Sequence, residues 1–301
     1  MAIQPAAESD ELVTRRRNFL LIGLMVGLVL AIGLGVAWKT LSGRGIRMRA
    51  VHRIRAVLQE GAVEPNGDFT NVIFLHHSVG RYIINQGRVR QRLTAAGFDF
   101  WDHDYNWEGL IAPDATRTGY SYVIPDDNTD PDGLARLFAQ PVYRRPINAF
   151  SGLMQHEVIA FKSCFPTSDI ASEAQLAQYK TWYLGMRDVM DQHPDRIFIV
   201  VTPPPLNPAA TNAENAARAR AFADWLTSEE FLDGHANVFA FDLFDLLAEG
   251  DPSAPDANML RADYREEEDS HPNELANQTI GPLFADFIVE SVQSYRSHLA
   301  K

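Results

Sequence analysis

The chain has 301 residues, 46% of them hydrophobic, and a formal net charge of −12. This is enough for one large core, since a single α/β domain can use about 250 residues. The acidic balance argues against nucleic acid as a partner, because proteins that neutralise phosphates present a basic face. Cys164 is the only cysteine, so the chain can form no internal disulfide. The cysteine content therefore does not indicate whether the protein resides in an oxidising or a reducing compartment.

An uncharged apolar run at 19–38, FLLIGLMVGLVLAIGLGVAW, is as long as a helix that crosses about 30 Å of hydrocarbon. The preceding TRRRNFLL resembles a twin-arginine export signal, although it also fits a simple arginine anchor at the bilayer surface. No small-x-small cleavage site follows the run. Residues 18–38 are therefore predicted to be an uncleaved transmembrane anchor or signal.

The two flanks of this run give opposite indications of orientation. The arginines at 15–17 favour a cytoplasmic amino terminus. The basic residues between 39 and 55 favour a cytoplasmic position for the opposite flank, and both flanks of a single span cannot lie on the same side. A basic amphipathic stretch can also lie on anionic headgroups. We expect a single-pass membrane protein with an extracytoplasmic domain, periplasmic or at the cell surface, and a cytoplasmic domain is the alternative.

The chain divides by composition into an N-terminal tail (1–17), the anchor (18–38), a basic juxtamembrane helix and linker (39–65) and one domain (66–301). In this domain, short apolar runs alternate with longer amphipathic ones, as in βα units. The predicted strands are 72–76, 98–102, 158–163, 196–202 and 238–243, and the predicted helices are 81–96, 172–192, 212–232 and 274–298. The fold class is therefore α/β, a three-layer α/β/α sandwich with a mainly parallel five-stranded sheet, preceded by the transmembrane helix.

A segment at 111–155 is rich in Pro, Asp and Gly and shows little periodicity, so we interpret it as an insertion that forms a functional loop. Within it, NTDPDG at 128–133 partly matches a calcium-binding loop. Ala139 stands where the closing glutamate should be, and Pro131 interrupts the run. We interpret the segment as a turn and expect no metal site there.

Polar side chains follow the predicted strands, and ligands of open α/β sheets gather at that edge. Serine hydrolysis needs a hydroxyl, an imidazole base, a carboxylate that orients the imidazole, and donors for the oxyanion. Ser78 in LHHSVG, with Asp269 and His271 in DSHPN, supplies the first three in the order Ser, Asp, His. Taken singly, Ser78 also fits a turn or cap residue, and DSHPN also fits a capped helix start.

These blocks resemble the SGNH/GDSL hydrolase superfamily, with DSHPNELANQTIGPLFADFI as the strongest match and LHHSVG in place of Gly-Asp-Ser. The resemblance implies an α/β/α fold over roughly 70–298, a serine esterase or deacetylase activity, and no cofactor or metal. The acid of the family usually lies three residues before the histidine, which here is Glu268. Some relatives use the shorter spacing, so Asp269 is our first choice and Glu268 the second.

The resemblance also implies three oxyanion donors, which are the backbone N–H of Ser78, Gly109, and a side chain after the third strand. The family has an asparagine at this last position, whereas the matching PTSD places Ser168 there. A hydroxyl can donate, but it is less preorganised than an amide.

From these patterns we predict a membrane-anchored SGNH-like serine hydrolase acting on acyl esters, for which envelope carbohydrate or lipid is the expected substrate. Transfer of the acyl group to a sugar uses the same triad, so the sequence does not distinguish an acyltransferase from a hydrolase. It also does not indicate the oligomeric state. A catalytically inactive glycan- or protein-binding module is one alternative. A metal-dependent hydrolase that uses His76 or His77 is the other.

Overall fold

A computed structural model of the protein describes residues 50–52, 54, 63, 65–128 and 130–301. The predicted anchor at 18–38 lies outside these residues. In the described part of the chain, no helix is long and apolar enough to cross a membrane. Residues 50–52 and 54, in the predicted juxtamembrane helix, are helical. The chain divides into two units, Met1–Val51 and His52–Lys301, and every element named below belongs to the second.

One sheet forms the centre of this unit, with strand order β3-β2-β1-β4-β5-β6. Five strands are parallel, and β3 pairs with β2 in the antiparallel direction. The prediction of five strands was thus one short, because β3 has only two residues and shows no periodicity. The strands are β1 (Asn71–Leu75), β2 (Asp99–His103), β3 (Leu110–Ile111), β4 (Val158–Lys162), β5 (Ile197–Val201) and β6 (Val238–Phe241).

Helices cover both faces of the sheet. They are α1 (Ser78–Gln86), α2 (Val89–Ala95), α3 (Pro131–Phe138), α4 (Ala149–Leu153), α5 (Glu173–Met190), α6 (Ala213–Thr227), α7 (Glu229–Leu232), α8 (Leu243–Leu247) and α9 (Glu274–Leu299). Short 3-10 turns lie at Pro125–Asn128, Phe165–Ser168, Pro208–Ala210 and Ala262–Tyr264.

Two hydrophobic cores follow from the alternation of side chains along the strands. In β1, Ile73 and Leu75 pack with the core under α3 to α7, whereas Val72 and Phe74 pack with the core under α1, α2, α8 and α9. All five residues of β1 are buried, which explains why its sequence is apolar after Asn71. The predicted three-layer α/β/α arrangement is therefore present in the described residues.

The helix predicted at 81–96 is two helices, α1 and α2, with a break at Gly87 and Arg88. Arg88 adopts a left-handed conformation with φ of 57°. Gly87 packs directly on Gly281 of α9, and a Cβ atom built on Gly87 would lie 2.6 Å from the Gly281 Cα. Only glycine allows this approach of the two backbones. The break thus depends on a contact with a distant part of the chain.

The predicted insertion at 111–155 is not a loop throughout, because it contains α3 and α4. Leu134, Leu137 and Phe138 of α3 and Phe150 of α4 are buried in one of the two cores. The side chain of Asp130 accepts a hydrogen bond from the Gly133 N–H at 3.0 Å, so it caps α3. The prolines and glycines of this segment separate short helices. Each helix is too short for its hydrophobic residues to show a helical periodicity in the sequence.

Candidate active site

Ser78 lies at the carboxyl edge of the sheet, where β1 ends. The strand ends at Leu75, the buried residues His76 and His77 follow, and Ser78 is the first residue of α1. His77, at the N-cap position, makes no side-chain cap, and the first turn of α1 holds no acidic residue. The first N–H groups of this helix therefore have no partner within the helix and no carboxylate within its first turn. This environment favours an anion beside Ser78.

His271 and Asp269 lie in the turn that precedes α9. The Nε2 atom of His271 is 2.7 Å from the Ser78 Oγ, although 193 positions separate the two residues. The Nδ1 atom of His271 is 2.7 Å from the Asp269 Oδ1, which also accepts the backbone N–H of His271 at 3.1 Å. The structure thus brings together the serine, histidine and aspartate that the sequence singled out.

The hydrogen bonds fix the tautomer of His271. Burial acts to raise the pKa of the Asp269 carboxyl, but the hydrogen bonds from the His271 ring and N–H outweigh it and lower this pKa. An ionised carboxylate accepts the Nδ1–H, so the Nε2 lone pair is left to accept the Ser78 hydroxyl proton. Glu268 is exposed, and none of the hydrogen bonds among the described residues joins its side chain to His271.

Asn207, which follows β5, holds the turn in place. Its side-chain amide donates to the carbonyl oxygens of Glu267 and Asp269, each at 3.0 Å, and its backbone N–H donates to the Ser270 Oγ at 3.0 Å. Asn273 then caps α9 by accepting the Ala276 N–H at 3.1 Å. Sequence reasoning missed Asn207, because nothing in the TPPPLNP segment indicates a partner about 60 residues away.

Two of the predicted oxyanion donors have other partners in this structure. The Gly109 N–H donates to the Tyr105 carbonyl oxygen at 2.8 Å. The Ser168 hydroxyl is buried and donates to the Pro204 carbonyl oxygen at 2.6 Å. The third, the Ser78 N–H, is at the uncapped start of α1.

Aromatic rings surround the serine and the histidine. Phe165 and Tyr82 meet the His271 ring edge-on, with centroids 5.1 Å and 5.7 Å away. The hydroxyl of Tyr105 donates to the Ser78 Oγ at 3.5 Å. These contacts exclude water from one side of the imidazole while leaving the serine half-buried.

His76 is part of a buried network behind the site. Its Nδ1 lies 2.8 Å from the His77 carbonyl oxygen, and its Nε2 lies 3.0 Å from the Asp102 carboxylate. Arg90 also contacts Asp102 and donates to the Phe100 carbonyl oxygen. Both ring nitrogens of His76 are therefore in contact with oxygen atoms of the protein.

His77 lies in a second buried cluster, with Cys164 and Lys162. Burial lowers the pKa of His77, but Asp127, 3.8 Å from the Nε2, and the Cys164 thiol outweigh it, so the pKa is raised. Burial raises the pKa of Cys164, yet Lys162 and His77 bring it down to about 7. Burial also lowers the pKa of Lys162. This buried cluster therefore includes the residue that immediately precedes Ser78.

Three carboxylates of the 111–155 segment, those of Asp126, Asp130 and Asp132, lie close enough together to share a cation. The guanidinium of Arg136 contacts both Asp126 and Asp132. Asp130 is engaged as the cap of α3. Their negative charge is therefore already balanced in part by the protein.

No protein-family model matches the chain, and no curated protein matches its sequence. Among solved structures, it is similar to a protein from Streptococcus pneumonia provisionally described as a platelet activating factor. The two share 13% identity and a TM-score of 0.49 over 86% of this chain and 99% of the other.

Two further structures come from Bacteroides. One, from Bacteroides fragilis, is provisionally described as an acylhydrolase, with 9% identity and a TM-score of 0.46 over 79% of this chain and 95% of the other. The second, from Bacteroides thetaiotaomicron, is a GDSL-like lipase, with 6% identity and a TM-score of 0.44 over 81% and 98%.

Proposed function

We propose that this protein is an SGNH-type serine hydrolase that cleaves carboxylic esters. The observation that supports the proposal is the unbroken line of hydrogen bonds from Asp269 through His271 to Ser78, each 2.7 Å long. This is the arrangement that makes a weak hydroxyl nucleophilic at neutral pH. Asp269 is the acid of the triad in this proposal, and Glu268 is not.

In the first half of the reaction, the Ser78 Oγ attacks the ester carbonyl carbon while its proton passes to the His271 Nε2. The carbonyl oxygen becomes an oxyanion beside the first turn of α1, where the Ser78 N–H donates to it. The imidazolium formed on His271 is stabilised by Asp269. Collapse of the adduct breaks the bond to the alcohol oxygen, which leaves with the proton from His271.

In the second half, a water gives a proton to the His271 Nε2 and its oxygen attacks the acyl-Ser78 carbonyl. The second adduct expels the Ser78 Oγ, which recovers its proton, and the carboxylic acid departs. If a sugar hydroxyl replaces the water, the same steps transfer the acyl group to the sugar. Access of the acceptor therefore decides between hydrolysis and transfer.

For the substrate, we propose acyl groups on envelope carbohydrate or lipid, a choice supported by the predicted anchor at 18–38. It requires the domain to be extracytoplasmic. Protease added to intact cells or spheroplasts should then degrade the domain. A domain protected until the membrane is lysed would instead place it in the cytoplasm and remove this substrate class.

The decisive experiment is labelling of the full-length protein by a fluorophosphonate probe. Wild type should be labelled, whereas Ser78→Ala and His271→Ala should lose labelling. The control is His235→Ala, since His235 also pairs with an aspartate, Asp191, at 2.8 Å but makes no hydrogen bond to a serine within the described residues. Folded wild type that stays unlabelled would refute the proposal and favour an inactive binding module. Loss of labelling in His235→Ala would show that the assay reports folding.

A further inference from the structure

The proposed reaction needs more than one oxyanion donor, and the structure leaves the second position open. The Gly109 N–H and the Ser168 hydroxyl are both bonded to carbonyl oxygens, of Tyr105 and Pro204 respectively. A donor that is already bonded must break this bond before it can stabilise an oxyanion, which reduces the gain. The second donor should therefore be a group near Ser78 that has no such competing acceptor.

We propose that the hydroxyl of Tyr105 is the side-chain oxyanion donor of this enzyme, an inference that rests on the proposed function. Tyr105 follows β2 at the carboxyl edge of the sheet, and its hydroxyl donates to the Ser78 Oγ at 3.5 Å. This is the only hydrogen bond of that hydroxyl in the described part of the chain. The phenol thus reaches the reacting atom itself and is committed to no carbonyl.

The ring of Tyr105 is fixed by its neighbours, which is the preorganisation that an oxyanion donor requires. It stacks on His77 with centroids 3.9 Å apart and an interplanar angle of 18°, and on Trp107 at 5.9 Å. The guanidinium of Arg81 lies 5.6 Å from the ring centroid and is bonded to Asp104 at 2.5 Å. The backbone N–H of Tyr105 also donates to Asp104, at 2.8 Å.

The hydrogen bond of Tyr105 changes its acceptor during the reaction. In the resting site the Ser78 Oγ accepts the phenol proton while its own proton points to His271. When Oγ attacks, one of its lone pairs forms the bond to the carbonyl carbon, and a full negative charge appears on the oxygen bound to that same carbon. The Tyr105 O–H then donates to this oxyanion. The interaction is stronger in the transition state than before it, so it accelerates the chemical step.

The test is hydrolysis of p-nitrophenyl acetate by full-length wild type, Tyr105→Phe and Tyr143→Phe. Phenylalanine keeps the ring that stacks on His77 and removes only the hydroxyl. We expect Tyr105→Phe to lower kcat by about 100-fold with KM little changed, as for removal of an oxyanion donor elsewhere. Tyr143, which is exposed on another surface, is the matched control and should retain wild-type kinetics.

A second substrate separates oxyanion stabilisation from mere positioning of Ser78. The thionoester analogue develops its charge on sulfur, which is a poor hydrogen-bond acceptor. Loss of an oxyanion donor should therefore slow Tyr105→Phe much more on the oxygen ester than on the thionoester. Equal slowing on both substrates would assign Tyr105 to positioning and overturn the inference.

The remaining outcomes are also decisive. A kcat of Tyr105→Phe within about threefold of wild type, or a loss carried by KM alone, would overturn the inference while leaving the proposed function intact. Wild type that neither hydrolyses the ester nor reacts with the fluorophosphonate would refute the proposed function and this inference together. Thermal unfolding of each variant shows whether a loss reflects misfolding.

Discussion

Replacing Asp269 by Asn should slow the proposed ester hydrolysis by less than the same change does in a buried triad. Asparagine keeps the shape and an acceptor for the His271 Nδ1–H but removes the charge that stabilises the imidazolium. Opposite charges about 4 Å apart interact by about 1 kcal/mol in water and about 4 kcal/mol at an effective dielectric constant of about 20. The Asp269 side chain is 61% exposed, so its environment lies between these limits.

This range corresponds to a loss of about 5-fold to about 1,000-fold in kcat, since about 1.4 kcal/mol changes a rate tenfold. A buried triad aspartate loses about 10,000-fold on the same substitution. We expect about 100-fold for Asp269→Asn, measured with p-nitrophenyl acetate, and a smaller ratio to wild type at high salt because ions screen an exposed pair.

Glu268→Gln is the matched control, because it removes a neighbouring charge that makes no hydrogen bond to His271 in the described residues. It should stay within about threefold of wild type. A larger loss for Glu268→Gln than for Asp269→Asn would show that the longer acid–histidine spacing is the functional one. A loss of about 10,000-fold for Asp269→Asn would show that substrate buries the pair.

Three further predictions concern positioning and stability. Asn207→Ala should lower kcat and destabilise the protein by about 1–3 kcal/mol in urea, because two hydrogen bonds to the His271 turn are lost, each contributing about 0.5–1.5 kcal/mol; unchanged values would contradict its role in holding this turn. Burial lowers the pKa of His103 to about 4 and that of His156 to about 3, both from 6.5. The unfolded chain then binds more protons below pH 6.5, so the free energy of unfolding should fall by about 3 kcal/mol per histidine between pH 6.5 and pH 4, and a flat profile would refute this. Gly281→Ala should lower the melting temperature by several degrees, because its methyl group would clash with backbone, whereas an alanine at Gly185, which has open space, should not.

The elements that were predicted best are those whose pattern lies within the element itself and does not depend on distant residues. β1, β4 and β5 are apolar runs, as buried parallel strands are, apart from Asn71 at the start of β1 and Lys162 at the end of β4. α5 and α9 keep a helical periodicity over many residues. β3 was not predicted, because a strand of two residues has no periodicity and is defined only by its pairing with β2. The break between α1 and α2 depends on Gly281, which no local pattern around Gly87 reveals.

The candidate site shows the same division. The residue types and order of Ser78, Asp269 and His271 can be read from the sequence, because the chemistry restricts them. The supporting residues cannot, since Asn207 acts through a turn about 60 positions away and Tyr105 through a ring stack on His77. Ser168 is the opposite case, since the sequence suggested a role that the structure does not support. Its hydroxyl lies at the expected position but donates to the buried Pro204 carbonyl oxygen.

The contact between Gly87 and Gly281 joins α1, which begins with Ser78, to α9, which begins three residues after His271. Asn277 reinforces it by donating to the Gln86 side chain at 2.7 Å. The starts of these two helices, and with them Ser78 and His271, are therefore held at a distance set by two backbones in contact, where no side chain can change rotamer or compress. A change in the surrounding loops can then alter the surface near Ser78 without altering its distance from His271.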